Sequence, residues 1–231
     1  MISIVIPTFN EADQITTTID QLKRKSTGDH FEIIVSDGGS TDHTITLAEK
    51  AGVTVVSAPR KGRAAQMNAG AAHAKGEVLY FLHADTIPPE SFLADIKVAI
   101  AKGYYAGCFR LAFDHPHWFL KANCWFTRFD INAIRFGDQS MFVAKTIFDS
   151  VGGFCEAHSV MEDQEIIKRI RRITNFVVIK KPVITSARKY LENGIFKTQG
   201  IFFIIYFMYQ LGFSQDKLVS TYKKLISQDK L

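Results

Sequence analysis

Apolar positions along the first hundred residues fall into two alternating rhythms. Residues 2–6 and 31–36 are short β-branched runs, while residues 13–25 between them carry Ile15, Ile19 and Leu22 at the spacing of one helix face. The alternation continues. Residues 43–51 read as a helix, 53–57 as a strand, 63–74 as a helix of small residues, and 77–82 as a buried strand. Pro88 and Pro89 precede a further helix over 90–101, because proline is tolerated in a first turn whose N–H groups have no partner to lose. Strands alternating with helices imply right-handed crossovers, so the fold class is α/β with a Rossmann-like, mostly parallel central sheet flanked by helices.

The second half is less regular. Residues 106–113 and 140–144 read as strands, 118–134 as an aromatic-rich helical segment, and Gly152-Gly153 as a turn. Residues 162–173 begin acidic and end basic, complementing a helix dipole at both ends. Within residues 195–213 an unbroken apolar run covers 201–209, short of the roughly 20 residues that a bilayer span needs. It reads either as a buried C-terminal helix or as a helix in a membrane interface. Its tyrosines and the nearby Lys217, Lys223 and Lys224 favour the interface, with Phe202, Phe203, Tyr206 and Phe207 as the lipid-facing residues.

Composition narrows the partners. At 231 residues and 47% hydrophobic content the chain suits one large α/β domain. Cys108, Cys124 and Cys155 are odd in number and lack metal-type spacing, which excludes a disulfide framework or zinc site and reads as thiols of a reducing cytosol. The N-terminus lacks a basic n-region and reads as a core strand, so a cytoplasmic protein is expected. A net charge of +5 favours anionic partners such as nucleotide phosphates or lipid headgroups. No basic stripe interleaved with aromatics suggests a nucleic-acid groove.

Candidate chemistry sits where predicted strands end. The run VLYFLHADT closes on His83, Ala84 and Asp85, presenting a carboxylate at the sheet edge where open α/β folds bind ligands. Such an acid can hold a divalent cation against a phosphate, or merely cap the next loop. Pro7, Thr8, Asn10 and Glu11 follow the first strand; Thr8 and Asn10 serve equally as turn formers, whereas Glu11 has no such explanation. In VSDGGSTD, Asp42 reads as a helix cap and Asp37 as free to accept hydrogen bonds from a base or ribose. Arg60, Lys61 and Arg63 precede a helix carrying Gln66, Asn68 and Gly70. Cations beside helix N-terminal amides suit a diphosphate, with a solvated basic turn as the alternative. Glu162 and Asp163 open a helix, as dipole partners or as a catalytic base.

In order, IVIPTFNE, SDGGSTD, GRAAQMNAGA, FLHADT, GGF and MED resemble the family-2 glycosyltransferases of GT-A fold over about residues 2–190. With GDQ at 137–139, they are most similar to a small bacterial subgroup marked by GRAxQMNxGA and FLHADT. With the length and the C-terminal apolar run, the resemblance gives the expectation of a single domain over 1–231: a nucleotide-sugar-binding half (1–103), an acceptor and catalytic half (104–190), and a helical, membrane-associating tail (191–231). It implies that Pro7, Thr8, Glu11 and Asp37 contact the nucleoside, Arg63 the nucleotide side, and Asp85 a Mn²⁺ or Mg²⁺ ion, with Asp163 or Glu162 as the base.

Three departures refine that expectation. The family's D-x-D is here His83-Ala84-Asp85, leaving a neutral imidazole for ribose or metal, a ligand better suited to Mn²⁺ than to Mg²⁺. Its Asp-Asp-Gly is here Asp37-Gly38-Gly39. No Q-x-x-R-W motif follows Asp163, which argues for single-sugar addition, and Arg188 joins Arg60 and Lys61 as a candidate diphosphate contact. The expected reaction is an inverting, metal-dependent transfer from a nucleotide-activated sugar, UDP-sugar favoured, to a lipid-linked or small-molecule hydroxyl at the cytoplasmic membrane face. Two other classes remain for comparison. A nucleotidyltransferase needs a glycine-rich, arginine-containing loop after the first strand, which IPTFNE lacks; a non-catalytic nucleotide-sugar-binding module would tolerate His83 in place of aspartate.

Overall fold

The first strand sets the two faces of the molecule. In the computed structural model, which describes residues 1–131 and 139–226, β1 (Ile2–Thr8) is buried throughout. Ile2, Ile4 and Ile6 enter one apolar cluster and Val5 the other, as the two-residue period of a strand requires. α1 (Ala12–Lys25) buries Ile15, Ile19 and Leu22, the face its spacing predicts. β2 (Phe31–Asp37), reached through α1, pairs parallel with β1. α2 (Thr44–Lys50), β3 (Thr54–Ser57), α3 (Arg63–His73) and β4 (Val78–Phe81) continue the alternation, with β3 parallel to β2 and β4 parallel to β1. α3 covers the opposite face from α1. It approaches closely because residue 70 is glycine: a Cβ there would lie 2.4 Å from Val5 Cγ1.

Four later strands, β5 (Thr86–Ile87), β6 (Ala106–Phe113), β7 (Met141–Ala144) and β8 (Phe176–Thr185), complete a sheet in the order β3-β2-β1-β4-β7-β6-β8-β5. Four of the seven pairings are parallel, in line with the expected mostly parallel sheet; β7 reverses against both β4 and β6, and β5 against β8. The chain leaves β4 in mid-sheet and re-enters at the far edge as β5, with only Leu82 to Asp85 between them. Four strand spacings across a flat sheet span about 19 Å, more than five residue steps reach at about 17 Å. The far half of the sheet therefore curls back, bringing the loop of His83, Ala84 and Asp85 towards β8.

α4 (Phe92–Ala101) follows the proline pair as expected. α5 (Trp118–Phe126) is shorter than the predicted 118–134 segment, because Thr127 turns its hydroxyl back onto the Cys124 carbonyl at 2.7 Å. The remainder of that segment from 132, with Gly137 and Asp138 of the GDQ motif, lies outside the described residues. α6 (Lys145–Ser150), α7 (Glu162–Ile170), α8 (Arg188–Asn193), α9 (Ile195–Gln210) and α10 (Gln215–Leu225) complete the helices among the described residues. The apolar run in α9 is neither wholly core nor wholly exposed. Ile201 and Ile205 pack with Leu218 and Tyr222 of α10, while Phe203, Ile204 and Phe207 face outward. The expectation that Phe202 faces lipid is corrected: its ring lies 5.8 Å from Tyr190 and 6.4 Å from Tyr222. Among the described residues no helix is long and apolar enough to cross a membrane.

Candidate functional site

Two loops at the C-terminal edge of β1 and β2 are stitched together by side chains. Asn10 adopts φ 53°, a left-handed conformation that asparagine tolerates. Its Oδ1 accepts the Thr41 N–H at 2.8 Å, and its own N–H donates to Ser40 Oγ at 2.9 Å. Asp42 accepts from the Thr44 N–H and hydroxyl and reaches across to the Ala12 N–H at 3.1 Å. Burial opposes its charge, but these hydrogen bonds outweigh burial and hold its carboxyl below the ordinary value. Asp37 departs from the expectation of a free acceptor. It is buried, and its oxygens take the Gly39 and Ser40 N–H groups, each at 2.8 Å, and the Ser40 hydroxyl. The carboxylate is spent on shaping its own loop.

A cavity opens beside these loops. Pro7 and Thr8 line it from β1, Glu11 from the residue before α1, His83 and Asp85 from the loop after β4, and Arg188 from the N-terminus of α8. Glu11 and Arg188 lie 3.6 Å apart and tie the first loop to the second half of the chain. The turn of His83 to Asp85 is held from below by Thr18 of α1, whose buried hydroxyl donates to the Ala84 carbonyl. Sequence reasoning passed over Thr18, since a threonine inside a helix carries no motif. Asp85 is half-buried, and Thr86 Oγ1 donates to its Oδ1 over a long 3.3 Å. Among the described residues no cluster of three His, Cys, Asp or Glu forms a metal cage. A carboxylate such as Asp85 on the wall nonetheless suits Mg²⁺ or Mn²⁺ when phosphate oxygens and water complete the shell.

The helix after the basic turn divides its residues between the cavity wall and packing. Gln66 is buried and donates to the Thr8 carbonyl, packing so close to Gly38 that a Cβ there would meet its Nε2 at 2.4 Å. Asn68 clamps the double-glycine turn, exchanging 2.9 Å hydrogen bonds with both the N–H and the carbonyl of Phe154. Gly70 is the close-contact point already described. Of the three, Gln66 also lines the cavity, whereas Asn68 and Gly70 do not. Arg60 is turned to Glu156 at 2.8 Å, and the Lys61 ammonium lies 5.7 Å from the ring centre of Phe9. Neither lines the cavity, so the structure does not bring Arg60 and Lys61 to the place expected of diphosphate contacts.

Arg63 does reach the cavity, and it also lines a second one. The second cavity lies against the first, sharing Phe113, Lys189, Tyr190 and Phe202 as a common wall, and it holds Glu162 and Asp163 at the start of α7. The chain enters α7 through Met161 at φ 64°, a conformation that costs a non-glycine residue about 1–3 kcal/mol and tends to mark working sites. Glu162 is buried and ion-paired with Arg63 Nη1 at 3.1 Å. Asp163 is less buried. The link between Arg63 and Glu162 joins residues far apart in sequence, and no spacing rule could have found it.

A profile of Glycosyl transferase family 2 matches residues 3–161, more than half of the chain. The chain belongs to that family. Over 211 residues it is 26% identical to a PGL/p-HBAD biosynthesis glycosyltransferase of Mycobacterium tuberculosis, covering 84% of this chain and 78% of the relative. Its structure resembles S. aureus TarS 1–349 in complex with UDP, with a TM-score of 0.68, 18% identity and coverage of 80% of this chain. This chain spans only 60% of that TarS fragment. It also resembles glucosyl-3-phosphoglycerate synthase from Mycobacterium tuberculosis in complex with Mn²⁺, UDP and glucosyl-3-phosphoglycerate, with a TM-score of 0.64, 18% identity and coverage of 92% of this chain and 80% of that one. At these identities the structural likeness establishes the fold, which is GT-A, and family membership makes the chain a glycosyltransferase.

Proposed function

We propose that this glycosyltransferase moves one sugar from a nucleotide-activated donor, a UDP-sugar in the favoured case, to an acceptor hydroxyl with inversion. The observation that carries the reading is the pair of adjoining cavities, one walled by Asp85, Glu11 and Arg188, the other by Glu162 and Asp163. The UDP and Mn²⁺ named with the structural relatives support a UDP donor and a divalent ion here. Thr8 and Pro7 would border the nucleoside, and Asp37 would act by fixing the loop beneath it. Asp85 would hold Mn²⁺ or Mg²⁺, with His83 as a further neutral donor that favours Mn²⁺; the ion, when bound, neutralises charge on the leaving diphosphate. Arg188 supplies fixed positive charge on the same wall.

Asp163 is the favoured general base. Asp163 lines the second cavity and is less buried than its neighbour Glu162, so of the two it is the more accessible to an acceptor hydroxyl. Deprotonating the acceptor from this side while the diphosphate leaves from the other displaces the sugar in one step and inverts its anomeric centre. The residues divide accordingly: 1–103 supply most of the donor wall, 104–190 the base, and the described part of the tail, 191–226, lines both cavities through Phe202. A thermal-shift panel of UDP-, GDP- and TDP-sugars with and without Mn²⁺ tests the donor assignment. At a hundredfold excess over Kd, binding stabilises by about 2.7 kcal/mol, a rise of roughly 5–10 °C. No Mn²⁺-dependent rise with any nucleotide would remove the reading.

A further inference from the structure

The helices that wall the second cavity share an outward aromatic face. α5 and α9 lie side by side: Asn123 donates to Gln199 at 3.0 Å, and the rings of Phe119 and Trp118 lie 4.7 and 6.2 Å from that of Phe196. Their inner sides supply Asn123, Gln199, Phe202 and Ile205 to the cavity. On the outer side, Trp118 and Trp125 stand two turns apart on α5 and are 66% and 47% exposed. Phe196, Phe203 and Phe207 follow at spacings of seven and four along α9, all exposed, and Leu211 extends the row at 75%. Six large exposed apolar residues on two neighbouring helices exceed the scattered apolar residues of an ordinary surface.

Charge identifies the occupant. Neither α5 nor α9 contains an acidic residue, and their only charges are Lys121 and Lys197, both exposed. A second copy docked through the same face would bring these lysines together without a carboxylate on either helix to pair them. Indole and phenyl rings flanked by cations match the headgroup region of an anionic bilayer instead. α9, at 16 residues, is about 24 Å long against a hydrocarbon core of about 30 Å, so it lies along the surface.

We infer that α5 and α9 form one interfacial platform that docks on anionic lipid, holding the cavity beside Asp163 at headgroup level for a lipid-anchored acceptor. The acceptor part rests on the reading of that cavity proposed above. It also revises which residues meet lipid: Trp118, Trp125 and Phe196 join Phe203 and Phe207, and Phe202 does not.

The chain's only two tryptophans are Trp118 and Trp125, so the intrinsic emission of the unmodified protein reads this face alone. Titration with phosphatidylcholine vesicles containing phosphatidylglycerol should shift that emission to the blue, and brominated acyl chains should quench it; pure phosphatidylcholine should do so far less. Unchanged emission with both vesicle types overturns the proposal, as does an equal response to both. A blue shift that grows with protein concentration in lipid-free buffer, with a dimer in sedimentation, overturns it in favour of a second copy. The double variant Phe203→Ser with Phe207→Ser keeps both reporters and, with its fold checked by circular dichroism, should bind anionic vesicles about tenfold more weakly or worse. Unchanged affinity contradicts the platform. UDP binding measured without lipid separates the two readings: intact UDP binding with no vesicle response removes the platform alone, and a vesicle response without UDP binding leaves the platform standing and removes the donor site.

Discussion

Asp37, Asp42 and Asp85 all follow apolar strands, yet their surroundings give them separate tasks. Asp37 is enclosed by amides and a hydroxyl of its own loop, Asp42 bridges that loop to α1, and only Asp85 stands on a cavity wall. Asp85→Ala should therefore abolish Mn²⁺-dependent UDP binding while leaving the fold intact; calorimetry showing unchanged affinity and unchanged metal dependence would sink the assignment. Asp42 makes a different prediction. Its folded pKa lies below the ordinary 3.8, so its stabilising contribution is complete above that value and is lost as pH falls through the folded value. The melting-temperature gap between wild type and Asp42→Asn should be full near neutrality and narrow as pH falls below 3.8; a gap that does not narrow at all in acid contradicts this account.

At the scale of elements, α1 and α3 were legible because their apolar and small residues repeat at helical spacing, and the structure uses those positions for packing. Gly70 is the sharpest case. Its missing Cβ would collide with Val5, so Gly70→Ala should destabilise the protein by about 1–3 kcal/mol through overpacking, read as a lower midpoint in urea. An unchanged midpoint would mean that α3 can slide. β8 was not legible, since Lys180, Lys181 and Pro182 interrupt its apolar pattern. The pairing with β6 absorbs them in a register shift between Phe109 and Arg110. The outer face of α9 was half legible. Its apolar run was plain, but which rings turn inward depends on Tyr190 and Tyr222, which lie outside the run.

For the whole molecule, the order of motifs along the chain carried the family and the fold, because IVIPTFNE, SDGGSTD and FLHADT stand where β1, β2 and β4 end, and GRAAQMNAGA and MED where α3 and α7 begin, in a topology fixed by right-handed crossovers. What the order could not carry is the meeting of distant segments. Arg63 opens α3 and Glu162 opens α7, and their ion pair spans the boundary between the two cavities. Asp163 is favoured as the base over Glu162 because it is the less buried of the two on the same cavity wall. The most direct test of the central claim is UDP release from a UDP-sugar in Mn²⁺, followed for wild type, Asp163→Asn and Glu162→Gln with donor affinity measured alongside. Wild type should turn over, and Asp163→Asn should keep donor affinity while losing roughly 10²–10⁴-fold in rate. Turnover that survives in Asp163→Asn and fails in Glu162→Gln would move the base to Glu162. Wild-type protein that binds UDP-sugar without ever releasing UDP, or full turnover in both variants, would contradict the account.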